Sequence, residues 1–162
     1  MNLLSIIARA EPLAPGADAP KITALNQDGQ KVVFEDVYGK GITLVYFYPK
    51  AETPGCTAEA CSLRDAYESL HGKGLQIIGV SKDTVDDQKK FQTNRELPFM
   101  LIADRDGTVA TAFGVATIPL IGLTMRQSFL IKDGKVVWSS LSAQTGGAAK
   151  EVQNALDMIQ KQ

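Results

Sequence analysis

Apolar residues in this chain form short uninterrupted runs separated by longer stretches with helical spacing. The clearest run, Ile42–Tyr48, is apolar at nearly every position, which is typical of a strand buried on both faces of a sheet. Leu75–Val80 is a second run of this kind. Residues 54–71, by contrast, carry apolar side chains three or four positions apart, which predicts one face of a helix.

Turn and capping residues divide the rest of the chain. Asp28-Gly29 and Asp133-Gly134 are typical of tight turns and predict two β-hairpins, and Thr84 can cap a helix. The predicted elements are strands 22–25, 31–34 and 42–48, helix 54–71, strand 75–80, helix 84–95, strand 99–103, helix 108–113, strands 126–131 and 135–140, and a last helix from 148. This order indicates a three-layer α/β domain with a mixed sheet.

Length and charge limit the classes of protein to consider. The 162 residues suffice for one domain with a core that needs no disulfide; we expect residues 1–17 to be an N-terminal extension and 18–162 a single domain. A net charge of −1 without a basic run disfavours binding to nucleic acid or to an anionic membrane. The apolar run Leu3–Ile7 is too short for a membrane span and lacks the early positive charge of a signal peptide, so we expect a cytoplasmic protein.

Both cysteines lie near the start of the helix that follows the central strand. Cys56 falls in its first turn, where unpaired N–H groups and the positive end of the helix dipole favour a thiolate. Thr53 suits the N-cap position and Pro54 the first helical position. Most free cysteines are small buried apolar residues without chemistry. A second thiol five positions later, at Cys61, on a turn rich in proline and glycine nevertheless indicates a reactive-cysteine site.

The residues around Cys56 also match a family pattern. Pro49-x-x-x-Thr53-x-x-Cys56 resembles the active-site motif of the peroxiredoxins, and the string from Tyr48 to Cys61 resembles their Q-type subgroup, also called bacterioferritin comigratory protein. The similarity extends from about residue 18 to the C-terminus. The resemblance implies a thioredoxin-like three-layer fold with a mixed central sheet and an N-terminal β-hairpin.

The resemblance also implies a role for five residues. Cys56 is expected to be the nucleophile that attacks the peroxide. Pro49 is expected to shield the thiolate, and the Thr53 hydroxyl to hydrogen-bond to the peroxide. The cation is expected to be Arg126, because the sequence from that residue matches the family pattern Arg-x-Ser-Phe-Leu-Ile. Cys61 is the expected resolving thiol.

The implied reaction reduces hydrogen peroxide and alkyl hydroperoxides. Cys56 becomes a sulfenic acid, Cys61 converts it to an intramolecular disulfide, and thioredoxin or a similar thiol reductant reopens the bond. Positions five apart in an intact helix lie about 8–9 Å from Cα to Cα, whereas a disulfide tolerates roughly 7 Å. We therefore expect the start of the helix to unwind during turnover. Since both thiols are in one chain, we expect a monomer.

Other interpretations remain open at this point. A thiol–disulfide oxidoreductase would be expected to carry Cys-x-x-Cys rather than the longer spacing found here, and a glutathione-peroxidase relative would need Gln and Trp partners that we do not find. A non-enzymatic thioredoxin-fold module for binding or redox sensing is a third possibility. Two thiols and the distant His71 are too few for a zinc site, so we expect no metal or cofactor.

Loop 116–124 is shorter and more apolar than in many Q-type members, and predicts either an exposed apolar patch or buried packing.

Overall fold

A five-stranded mixed sheet forms the centre of the structure, a computed structural model that describes residues 11–161. The run Leu3–Ile7 lies outside the described residues. The elements are β1 Thr23–Leu25, β2 Lys31–Val33, α1 Phe34–Tyr38, β3 Thr43–Phe47, α2 Pro54–Asp65, α3 Tyr67–Gly72, β4 Gln76–Ser81, α4 Val85–Arg95, β5 Met100–Ala103, α5 Thr108–Phe113, β6 Gln127–Lys132, β7 Lys135–Ser140 and α6 Ala148–Gln160.

Strand β3 lies in the middle of the sheet, whose order is β5-β4-β3-β6-β7. It pairs in parallel with β4 and antiparallel with β6, so that Val45 lies opposite Ile78 on one side and Phe129 on the other. All five of its residues are buried, as the apolar run predicted. Because β6 is antiparallel to β3, the residue before β6 and the loop after β3 lie at the same end of the sheet.

The two faces of the sheet bury different helices, which makes three layers. Leu44 and Tyr46 of β3 face a core shared with α2, α3, α4 and α6. Val45 and Phe47, which alternate with them, face a second core shared with α1 and α5. This arrangement confirms the predicted three-layer α/β domain. The N-terminal hairpin of β1 and β2 forms a separate two-stranded sheet, also as predicted.

Two local predictions were wrong. The single helix predicted over 54–71 is two helices, because Ala66 leaves helical geometry at φ −97° and ψ 3°. Its apolar stripe is therefore divided, with Leu63 buried on α2 and Leu70 on α3. Phe34, predicted as the end of a strand, instead begins α1. Phe34 and Val37 bury their side chains about one turn apart, and so short a helix shows no periodicity in the sequence.

The predicted Thr84 cap and the predicted turn at Asp133-Gly134 are confirmed. The Thr84 hydroxyl accepts a hydrogen bond from the Asp87 N–H (3.0 Å) at the start of α4. Asp133 and Gly134 both have positive φ, 52° and 74°, as a two-residue hairpin of the I′ type requires. Trp138 is half-buried against the first core.

The chain that precedes β1 packs on the domain. The Leu13 N–H donates to the Phe113 carbonyl (3.0 Å), and the Gly16 N–H donates to the Val136 carbonyl (2.8 Å). The division of the chain at residue 17 stays a prediction. None of the described helices has the length and apolar character needed to cross a membrane.

Gly79 of β4 leaves space for the ring of Tyr46, and we predict that Gly79→Ala destabilises the fold. A Cβ there would lie 2.8 Å from Leu101 Cδ2 and 2.9 Å from Tyr46 Cζ, and that ring is itself stacked on Tyr48 at 5.4 Å. Overpacking of this kind costs about 1–3 kcal/mol. Urea unfolding should show the loss, whereas Gly146→Ala, with no atom within 4 Å, serves as the control. Equal stability of the two variants would contradict the packing argument.

Candidate active site

Cys56 is the third residue of α2, after Thr53 at the N-cap and Pro54 in the first turn. The positive end of the helix and its unpaired N–H groups therefore lie beside the sulfur. The side chain is only 1% exposed. The sequence placed this thiol correctly at the start of a helix.

Thr53 occupies the predicted N-cap position but does not cap the helix with its side chain. Its hydroxyl instead donates to the Lys50 carbonyl at 2.6 Å. The N-cap position of Thr53 is thus as predicted, but no N–H of α2 donates to its side-chain oxygen. Because the hydroxyl hydrogen is donated to the Lys50 carbonyl, the lone pairs of the Thr53 oxygen remain available to accept a hydrogen bond.

Arg126 lies next to the thiol although it is 70 positions away in sequence. Its Nη2 atom donates to Cys56 Sγ at 3.3 Å, and its Nη1 atom donates to Glu59 Oε1 at 2.7 Å. The residue immediately precedes β6, so the antiparallel pairing with β3 delivers it to the start of α2. The cation expected from the sequence motif is thus in contact with the thiol.

Glu59 is a site residue that the sequence analysis did not single out. It is 1% exposed and lies three positions after Cys56, on the same side of α2. Burial raises the pKa of Glu59 to about 8, and the Arg126 guanidinium opposes that shift. Burial disfavours the charge of Arg126, but Glu59 and Cys56 outweigh it and raise the pKa of Arg126. Because Arg126 is charged at any physiological pH, the proton that moves belongs to Glu59.

The loop between β3 and α2 is held from two sides. The Ala51 N–H donates to Asp83 Oδ2 at 2.9 Å. Glu52 has a left-handed φ of 65°, and its carboxylate accepts from Arg95 (3.1 Å) and Asn94 (3.0 Å) of α4. Pro49 is half-buried at the start of this loop.

Cys61 lies on the same unbroken helix as Cys56 and is half-buried. Both thiols are free in this structure. Arg64, one turn further along, pairs with Asp65 at 3.0 Å and donates to the Arg95 carbonyl at 2.7 Å. These contacts fix Arg64 on the side of α4 and leave Arg126 as the cation observed in contact with the Cys56 sulfur.

Loop 116–124 is folded back on itself by a bridge between Thr117 and Thr124. Leu120 is fully exposed and Ile121 is 64% exposed, so the alternative of buried packing is wrong for its tip. Leu123 of this loop lines a cavity of about 280 Å³ together with Pro49.

Several other features lie away from the thiol. A larger cavity, of about 490 Å³, is lined by Ile42 and Lys132. These residues lie at the end of β3 and β6 that is opposite to Cys56. His71 stacks on Tyr67 with a centroid distance of 5.2 Å at the end of α3. Within residues 11–161, no group of three or more His, Cys, Asp or Glu side chains is arranged to hold a metal ion.

Comparisons with known proteins agree with this geometry. A family model described as the AhpC/TSA family matches residues 15–139. Peroxiredoxin Bcp of Escherichia coli (strain K12) is 42% identical over 131 residues, which cover 77% of this chain and 83% of that protein. The crystal structure of peroxidoxin BcpB from Mycobacterium tuberculosis is similar with a TM-score of 0.83 and 32% identity, over 90% of this chain and 97% of that one.

A second solved structure belongs to the bacterioferritin comigratory protein of Xanthomonas campestris. It is similar with a TM-score of 0.81 and 25% identity, over 90% of this chain and 99% of that one. That structural study concerns the alkyl peroxide reduction activity of the Xanthomonas protein and its trapped intermediate and ligand complexes.

The raised pKa of Glu59 predicts a pH dependence of stability that Glu59→Gln removes. The folded chain retains a proton that the unfolded chain releases between about pH 4.5 and 8, so the wild-type free energy of unfolding falls as pH rises through this window. The slope contributed by one group is at most about 1.4 kcal/mol per pH unit. Urea unfolding of both proteins at pH 5, 6.5 and 8 measures it. Parallel curves would contradict the assignment.

Proposed function

This chain belongs to the AhpC/TSA family, as a Q-type peroxiredoxin and thus a thiol peroxidase, and from this premise we propose that Cys56 is the thiol that attacks the peroxide. The observation that carries the proposal is the contact of 3.3 Å between Arg126 Nη2 and Cys56 Sγ at the start of α2. A permanent cation and a helix N-terminus both stabilise negative charge on the sulfur.

Attack by the thiolate forms a bond from Cys56 Sγ to the terminal peroxide oxygen and breaks the O–O bond. The distal oxygen takes up one proton and leaves as water or as an alcohol, and Cys56 remains as a sulfenic acid. Negative charge develops on the leaving oxygen, where the Arg126 guanidinium can stabilise it. Thr53 is the proposed residue that orients the peroxide. Its hydroxyl donates to the Lys50 carbonyl, which supports this role because its lone pairs can still accept a hydrogen bond from the peroxide.

Pro49 is the proposed shield of the thiolate, and the burial of the thiol favours small reactants. A thiol that is 1% exposed is reached by a peroxide group more readily than by the disulfide of another protein. This burial, with the five-residue spacing of the cysteines, disfavours the alternative of a thiol–disulfide oxidoreductase. Hydrogen peroxide and alkyl hydroperoxides are the proposed substrates.

Cys61 is the proposed resolving thiol. Its attack on the sulfenic acid forms the Cys56–Cys61 disulfide and releases water. Since α2 is continuous from Pro54 to Asp65, the two positions lie about 8–9 Å apart by helix geometry and the first turns must unwind. A thioredoxin-like dithiol is the proposed reductant, which takes over the disulfide and restores both thiols. A monomer suffices for this cycle, and a cytoplasmic location suits its reduced state.

Cys56→Ser is expected to abolish peroxide consumption, because a serine hydroxyl forms no anion at neutral pH. Consumption of hydrogen peroxide and of cumene hydroperoxide with a thioredoxin system measures the loss, and the circular dichroism spectrum should match that of the wild type. Turnover by Cys56→Ser at the wild-type rate would refute the assignment.

Cys61→Ser is expected to reduce one equivalent of peroxide and then stop as a sulfenic acid that over-oxidises readily. The oxidised wild type should have less helix by circular dichroism and faster amide exchange across residues 53–63, because the start of α2 unwinds. Mass spectrometry of the oxidised wild type decides the pairing. A disulfide between two chains, or a free Cys61 thiol after one turnover, would exclude the intramolecular mechanism.

A further inference from the structure

A chain of hydrogen bonds runs beneath the loop that precedes α2. The Tyr48 hydroxyl donates to Gln88 Oε1 at 2.6 Å, and Gln88 Nε2 donates to Ser81 Oγ at 2.9 Å. The Ser81 hydroxyl donates to Asp83 Oδ2 at 2.5 Å. The same carboxylate oxygen accepts from the Ala51 N–H at 2.9 Å. The chain of contacts therefore begins at the residue before Pro49 and ends two residues after it.

Three members of this network are buried, which restricts them to the hydrogen-bond partners described above. Tyr48, Ser81 and Gln88 are each 1% exposed or less. The Gln88 amide nitrogen also donates to the Ile102 carbonyl at 2.8 Å, so both of its hydrogens are used and its orientation is fixed. A buried polar group left without a partner is costly, which means that the network is stable only when every member keeps its place.

The ion pair that also holds this loop is partly exposed. Glu52 holds a left-handed φ of 65°, a conformation that is unfavourable for a residue with a side chain. Its contact with Arg95 is a partly exposed ion pair, a type that contributes little to stability. The hydrogen bond to Asp83 and the burial of the Ala51 side chain in the first core therefore hold the loop more firmly than this ion pair does.

The position of the loop is transmitted to Thr53. The Lys50 carbonyl lies between the two anchored residues, Tyr48 and Ala51, and it accepts the Thr53 hydroxyl at 2.6 Å. A shift of the loop would move this carbonyl and turn the Thr53 oxygen away from the peroxide. Misplacement of reacting groups by about 1 Å can cost two orders of magnitude in rate.

We propose that Asp83 is a positioning residue for peroxide reduction, which acts through the Ala51 N–H and the Lys50 carbonyl on Thr53 and is itself held by Ser81 and Gln88. The proposal rests on the proposed function of Cys56 and Thr53. It assigns to Asp83 no contact with the peroxide.

The test compares two reactions of the same sulfur in a Cys61→Ser background, where Cys56 is the remaining thiol. Hydrogen peroxide needs both the thiolate and the aligned Thr53, whereas alkylation by iodoacetamide needs the thiolate alone. Asp83→Ala is expected to slow the peroxide reaction about tenfold or more, a change of ~1.4 kcal/mol in the barrier. Its alkylation rate and the pH profile of alkylation should stay close to those of the parent.

Three further variants make the result specific. Asp86→Ala removes an exposed carboxylate three positions further on, in the first turn of α4, and should leave both rates unchanged. Asp83→Asn keeps an oxygen acceptor for the Ala51 N–H and should recover most of the peroxide rate. Ser81→Ala cuts the link between Gln88 and Asp83 and should reproduce part of the loss, which also decides the matter if Asp83→Ala fails to fold.

Two outcomes would overturn the proposal. In one, Asp83→Ala and Ser81→Ala react with peroxide at the parent rate. In the other, the peroxide and alkylation rates fall in parallel, which would indicate a structural effect on the thiol itself. Failure of the proposed function looks different, because the Cys61→Ser parent would then not react with peroxide at all.

Discussion

The Arg126 guanidinium joins two buried groups that would be unfavourable without it, the Cys56 sulfur and the Glu59 carboxyl. Both lie on one side of α2, and Arg126 reaches them from the residue before β6. The position of the first turn of α2, the pairing of β6 with β3 and the burial of the thiol are therefore linked. Moving any one of these elements would leave a cation, a carboxyl or a sulfur without its partner in a site of low polarity.

The proposed chemistry also requires the start of α2 to change conformation. Its first turns must be ordered to present the thiol and must then unwind if Cys61 is to reach it. The contacts that would be lost include the Glu59–Arg126 pair and the hydrogen bond of 3.0 Å from the Ala149 N–H to Ser62 Oγ. Each ordinary hydrogen bond is worth only about 1 kcal/mol net, whereas the buried Glu59–Arg126 contact costs more to break.

The proposed chemistry does not require the loop before α2 to change conformation. The hydrogen bonds of this loop run down into β4 and α4 through Ser81 and Gln88, which are fully buried. The loop that carries the groups proposed to orient the peroxide is thus held in place, and the segment with the two thiols is the part proposed to change conformation. The boundary between the two lies at about Thr53.

The sequence by itself determined the fold class and singled out Cys56 as the proposed reactive thiol. Strand β3, the hairpins and the position of Cys56 at a helix start all follow from local patterns, since periodicity, turn residues and caps act over a few neighbouring positions. The family motif singled out Arg126, which is in contact with the sulfur. The break at Ala66 and helix α1 escaped prediction, because packing rather than propensity decides such short elements.

Only the tertiary structure decided which polar groups share a buried space. Glu59 reads as an ordinary charged helix residue until its 1% exposure and its contact with Arg126 are known. Thr53 reads as a capping residue until its hydroxyl is seen to donate to the Lys50 carbonyl. Asp83 meets Ala51 across 32 positions of sequence. Desolvation and hydrogen-bond partnership depend on neighbours that are distant in the chain, so no local pattern specifies them.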